Sequence, residues 1–152
     1  MYDDDYGNFA IVYSEGSTRP PVPVTLPPAS VIPLTENQWA NGEITDTVTE
    51  LWYSFDVEAG QGAQIWWNDA YIGDGSKTLR SYADAWYKNG EGTHELFLGA
   101  YGAFYAPQTT PGWMLSSAGT VYIKIRGMND ALGTFGIVYN KDAGDRPAVS
   151  GR

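Results

Sequence analysis

The chain has 152 residues, with 18 Asp and Glu against 9 Lys and Arg, for a formal charge of −9. That balance, with the few cations scattered, excludes a counterion-releasing nucleic-acid surface and disfavours binding to anionic lipid. Cysteine is absent and His94 is the single histidine, which removes disulfides, thiolates and most zinc and acid–base schemes, while 43% hydrophobic against 18% charged residues suffices for a folded core.

The first strand-like segment is Gly7-Asn8-Phe9-Ala10-Ile11-Val12-Tyr13, and it returns near the other end as Gly133-Thr134-Phe135-Gly136-Ile137-Val138-Tyr139, identical at five of seven positions. Arg19-Pro20-Pro21-Val22 likewise returns as Arg146-Pro147-Ala148-Val149. Repetition of a strand and the segment behind it, in the same order, predicts a tandem array with a period near 126 residues. Residues 1–14 then read as the last strand of a preceding unit. Residues 15–30 read as a linker, extended and stiff because its prolines remove ladder donors and fix φ. The module runs over 31–141, and 142–152 open the next linker. An alternative role for the segment Gly7 to Tyr13 is insertion into a neighbouring chain's sheet as an added strand.

Within the module, Glu50 to Val57 alternates, setting Leu51, Tyr53, Phe55 and Val57 against Glu50, Trp52, Ser54 and Asp56, the pattern of a half-buried strand. Ala63 to Asn68 places Ala63, Ile65 and Trp67 together and Trp66 opposite. In Tyr82 to Tyr87, Tyr82, Asp84 and Trp86 share one face. Thr120 to Arg126 sets Val121, Ile123 and Ile125 against Tyr122, Lys124 and Arg126. Glycine- and Asn-rich turns separate these runs, no window keeps a 3.6-residue stripe, and no apolar run approaches the roughly 20 residues that cross a bilayer. About eight short strands at near-regular spacing predict an all-β fold, an antiparallel β-sandwich of jelly-roll type.

Pro33-Leu34-Thr35 and Trp39-Ala40-Asn41-Gly42, then Leu51 to Val57 with Ala59-Gly60, Trp66-Trp67-Asn68-Asp69, Gly119 to Lys124 and Gly133 to Tyr139, resemble in their order the bacterial pre-peptidase C-terminal (PPC-like) family. The resemblance covers the module. It implies a β-sandwich appended to a secreted or cell-surface bacterial protein, acting as a noncatalytic accessory or binding module. Some relatives bind calcium or polysaccharide. The Asp-rich turn that holds calcium in some of them has no clear counterpart here.

Aromatics turned away from the core are the informative side chains. Alternation puts Trp52, Trp66, Trp86, Tyr82 and Tyr122 outward, with Asp84 beside Trp86. Indole and phenol rings stack on the C–H face of a sugar while neighbouring polar groups bond its hydroxyls, so polysaccharide is the expected ligand. The competing expectation is packing, with these rings lying under a long loop or against the Pro-rich spacer. Asp69 and Asp74 offer hard oxygen donors on a glycine-bearing turn, for which calcium is the suited ion, but their spacing lacks the EF-hand pattern and solvated turn residues are the simpler account. No nucleophile elbow, phosphate loop or dinucleotide fingerprint occurs, and a lone His94 suits a surface or capping place. The sequence therefore predicts a noncatalytic polysaccharide-binding unit whose tandem copies add avidity, with a structural or adhesive spacer repeat as its rival.

Overall fold

The computed structural model describes residues 24–71, 75–101, 115–141 and 146–148. The segment 7–13 expected to close a preceding unit, most of the linker and Asp74 lie outside the described residues. Eight strands follow in order: β1 (Ile32–Pro33), β2 (Ala40–Ile44), β3 (Glu50–Val57), β4 (Gln64–Asn68), β5 (Ser81–Asn89), β6 (Gly92–Ala100), β7 (Gly119–Gly127) and β8 (Gly133–Asn140). The one helical element among the described residues is the short 3-10 turn Met128–Asp130, so none is long and apolar enough to cross a membrane.

The strands form two sheets, ordered β1-β3-β7-β5-β6 and β2-β8-β4. Early strands pair with late ones, β2 with β8 and β3 with β7, while β4 lies on the far side of β8 and the β5–β6 hairpin on the far side of β7. This winding of the first strands against the last is the jelly-roll order. All pairings are antiparallel except β1 with β3, a two-residue parallel addition at the sheet edge.

Alternation drives the two sheets together. Tyr53, Phe55 and Val57 of β3, Ala83, Ala85 and Tyr87 of β5, and Val121, Ile123 and Ile125 of β7 meet Phe135, Ile137 and Tyr139 of β8 in one buried cluster. Phe55 and Tyr139 stack with ring centroids 4.0 Å apart, and Tyr53 meets Phe135 edge-on at 6.0 Å. Gly42 of β2 stands where any Cβ would collide with Phe135 and the Tyr53 hydroxyl, so that position admits no side chain.

The faces of β4 are as expected, Ile65 and Trp67 pairing with Tyr139 and Ile137 and Trp66 with Val138 on the other side, but the expected exposure fails. All five of its residues are buried, and Trp66, expected to face solvent, is as enclosed as Trp67. The cause is that the outer face of the small sheet is also covered. Trp39 lies over Gly136 of β8, with the Arg146 guanidinium over the indole at 5.0 Å and the indole Nε1–H donating to the Pro147 carbonyl at 3.0 Å. In a strand buried on both faces, alternation carries no information on exposure.

Tyr53 carries a testable cost. Its buried hydroxyl has no hydrogen-bond partner among the described residues, and burial pushes its pKa up to about 12 from 10.0. The folded pKa is raised, so no stability is lost below pH 10, and stability falls as the pH climbs from 10 towards 12 while the unfolded chain ionises first. Tyr53→Phe is expected to change stability at pH 7 by less than about 1 kcal/mol. Between pH 10 and 12 it should denature later than the parent in urea, and equal alkaline sensitivity of the two proteins would contradict this.

Candidate functional site

The outer face of the five-stranded sheet collects five of the six expected ligand-binding residues. Register puts Tyr82, Arg126 and Glu50 in one row across β5, β7 and β3, Asp84, Lys124 and Trp52 in the next, and Trp86, Tyr122 and Ser54 in the third. Trp66 belongs to the other sheet and is excluded from the site by its burial.

Asp84 is the electrostatic centre of this face. It is 2% exposed, and its carboxylate accepts hydrogen bonds from Arg126 Nε at 2.9 Å and the Gly99 N–H at 2.7 Å, with Lys124 Nζ at 3.5 Å. The Gly99 contact depends on a register shift in the β5–β6 pairing around Ala83 and Ala85, and Gly99 takes φ +64°, a conformation that favours glycine. Burial pushes the Asp84 carboxyl up, but the Arg126 and Gly99 hydrogen bonds and the charges of Arg126 and Lys124 outweigh it and hold the group below the usual carboxylate range. The cations also serve the rings. Lys124 Nζ lies 5.6 Å from the Trp52 ring and 5.5 Å from that of Trp86, and Arg126 sits over Tyr82 at 4.7 Å.

Part of this face is already occupied by the chain itself. Trp52 and Trp86 stack at 5.3 Å, and Leu26 closes over Trp86 and Tyr122, flanked by Val24, Val31 and Leu98. Lys88 Nζ donates to the Leu26 carbonyl at 2.7 Å. Trp86 and Tyr122 are consequently 4% and 8% exposed. The C-terminal part of the Pro-rich linker is thus a strap that packs on the sheet, and two of the rings expected to meet a ligand meet that strap instead. Trp52 remains half-buried beside a cavity of about 370 Å³ between Pro28, Ser30 and Ile32 on one side and Val48 and Glu50 on the other, its Nε1–H donating to Glu50 Oε1 at 2.8 Å.

The accessible rings lie at the Tyr82 end. Tyr101 is 58% exposed and meets Tyr82 edge-on at 6.0 Å and Tyr71 at 6.3 Å. Tyr71 is 41% exposed, with the exposed Arg80 guanidinium 5.6 Å from its ring and its hydroxyl donating to Met128 Sδ at 3.2 Å. Three phenol rings and two guanidinium groups therefore share one open patch. Asp69, the expected calcium ligand, supports that patch. It is 1% exposed, one carboxylate oxygen accepting the Tyr71 N–H at 2.9 Å and the other the Ser81 hydroxyl at 2.5 Å. Among the described residues no group of three or more His, Asp or Glu is placed to hold a metal. His94 stacks on Tyr87 at 5.9 Å at the exposed end of the β5–β6 hairpin.

No protein-family model matches this sequence, and no curated protein matches it. Among solved structures, the chain is similar to the pre-peptidase C-terminal domain of collagenase from Bacillus anthracis, at 14% identity and a TM-score of 0.45, with 74% of this chain and 97% of that domain covered.

Sequence reasoning missed Tyr71, Tyr101 and Arg80. They sit at strand ends and in connections where no periodicity marks a face. The available signal was local: Tyr101 stands between Ala100 and Gly102, and Tyr71 follows the Trp66 to Asp69 run.

Proposed function

We propose that the chain is a noncatalytic module of an exported protein that binds polysaccharide through the Tyr71, Tyr82 and Tyr101 patch. The supporting observation is the contiguous, solvent-open cluster of three phenol rings with the Arg80 and Arg126 guanidinium groups beside them. Rings of this kind stack on the apolar face of a pyranose, and guanidinium donors reach its hydroxyl or carboxylate oxygens. Asp84 does not suit proton transfer, because its cationic partners keep it ionised and hydrogen bonds occupy it. An exported setting follows from the PPC-like motif order.

Calorimetric titration against a panel of neutral and acidic polysaccharides tests this reading. Tyr101→Ala is expected to weaken the bound glycan by about tenfold or more without moving the melting temperature, since the ring is mostly solvent-exposed. Absence of binding to every polysaccharide, or full affinity in both Tyr101→Ala and Tyr82→Ala, would remove it.

A second reading, a structural spacer repeat, is favoured by a different observation. Trp86 and Tyr122 are spent on packing the linker strap rather than left open. A folded protein that binds no glycan in the panel is the outcome that reading expects.

A further inference from the structure

The Arg80 guanidinium is presented to solvent on a fixed support. Leu79 and Ser81 on either side of it are fully buried, and the Arg80 carbonyl accepts the Met128 N–H at 2.8 Å, so the backbone is held while the side chain stays exposed. Its ring partner is held as well. Tyr71 donates its N–H to Asp69 and its hydroxyl to Met128 Sδ, which keeps the phenol ring 5.6 Å from the guanidinium carbon. A guanidinium stacked on an aromatic ring uses its flat face and keeps its five N–H donors at the edge, the geometry that takes a carboxylate or sulfate bidentately.

The charge of Arg80 is not balanced by its neighbours. The chain has 18 Asp and Glu against 9 Lys and Arg, yet the Arg80 guanidinium makes no ion pair or hydrogen bond with the described residues. By contrast, Arg126 is bound to Asp84, Lys77 Nζ to Asn41 Oδ1 and Lys88 Nζ to the Leu26 carbonyl. The carboxylates that build this face are already committed. Asp69 is 1% exposed with its two oxygens taken by the Tyr71 N–H and the Ser81 hydroxyl, and Asp84 is 2% exposed and serves Gly99, Arg126 and Lys124.

The rings decide what can carry an anion to Arg80. From Arg80 the contacts run through Tyr71, Tyr101 and Tyr82 to Arg126, with Tyr71 and Tyr101 at 6.3 Å and Tyr101 and Tyr82 at 6.0 Å. A ligand that sets its anionic group on Arg80 therefore lays the adjoining surface across Tyr71 and Tyr101, and a pyranose face suits those rings. Arg126 is the weaker place for an anion, because Asp84 balances its charge and accepts from its Nε and Nη2.

We infer that Arg80 makes the site selective for acidic glycans, pairing with a carboxylate or sulfate of the sugar whose ring rests on Tyr71 and Tyr101. This rests on the polysaccharide reading above and adds to it the charge class of the ligand. The net charge of −9 does not oppose it, since salt screens exposed charges beyond about 8 Å at physiological ionic strength.

Calorimetric titration of the full chain with two matched pairs of polymers tests the inference: polygalacturonate against its carboxyl-reduced form, and dextran sulfate against dextran. The acidic member of at least one pair is expected to bind about tenfold or more tighter than its neutral partner, and the pair that does so separates carboxylate from sulfate. Arg80→Gln should cut that preference to within about twofold while leaving the melting temperature and the affinity for the neutral polymer unchanged. Arg80→Lys, which keeps the charge and loses the fork, should retain only part of the preference. Tyr101→Ala should weaken acidic and neutral members alike. Binding confined to neutral glycans, or an acidic preference that survives Arg80→Gln, would overturn this inference and leave the polysaccharide reading standing. No binding to any acidic or neutral polysaccharide would overturn both.

Discussion

Exchanging Asp84 for Asn is expected to destabilise the protein by about 2–4 kcal/mol. Breaking a fully buried ion pair by removing one partner costs roughly 3–5 kcal/mol. The figure is lower here because Arg126 and Lys124 retain 37% and 22% side-chain exposure and stay partly hydrated. The loss is nevertheless large, because Asp84 joins three strands: it is carried by β5, accepts the Gly99 N–H of β6 and holds Arg126 and Lys124 of β7. Those cations in turn sit over Tyr82, Trp52 and Trp86. The pH dependence has a definite sign. The folded pKa of Asp84 is depressed, so its contribution is fully present above the unfolded value of 3.8 and is lost as the pH falls through the lower folded value. Urea midpoints of the parent should therefore drop on acidification below about pH 4, and the Asp84→Asn protein should lack this part of the drop. Equal midpoints for parent and variant at pH 7 would contradict the assignment.

Trp86→Ala is expected to cost about 3–5 kcal/mol, as for other buried large aromatics cut to alanine. The variant loses the Trp52 stack and the surface on which Leu26 and the strap rest, whereas Trp52→Ala removes a half-buried ring and should cost only about 1–2 kcal/mol. Denaturant unfolding of the two variants should rank them in that order. A Trp86→Ala protein with parental stability and lost glycan affinity would instead make Trp86 a ligand contact.

Much of the fold was legible because one-sided strands advertise themselves. The alternation in Glu50 to Val57 and in Thr120 to Arg126 marks β3 and β7 and assigns their faces correctly, while the β3–β7–β5 register is what brings Trp52, Tyr82, Asp84, Trp86 and Tyr122 to one surface. Other features depend on contacts distant in sequence. Trp66 was placed on the correct face but expected to be exposed, whereas it is buried on a side of its sheet where Trp39, held by Arg146 and Pro147, lies over Gly136. The Pro-rich composition indicates an extended segment but not that Val24 and Leu26 lie on Trp86 and Tyr122, 60 or more residues away in the chain. The Asp84 cluster requires the β5–β7 register, which pairs Asp84 with Lys124 and Tyr82 with Arg126. The sequence marked Asp69 as a turn carboxylate but not its acceptance of the Tyr71 N–H and the Ser81 hydroxyl, since Ser81 lies twelve residues further along the chain.

The most direct measurement is hydroxyl-radical footprinting of the native chain, read residue by residue by mass spectrometry. The packing described predicts rapid oxidation of Tyr71 and Tyr101 and strong protection of Trp66, Trp86 and Tyr122, with Trp86 and Tyr122 alone becoming reactive in a Leu26→Asp variant that lifts the strap. Oxidation of Trp86 and Tyr122 in the unaltered protein at the rate of Tyr101 would show an uncovered sheet face and contradict the account.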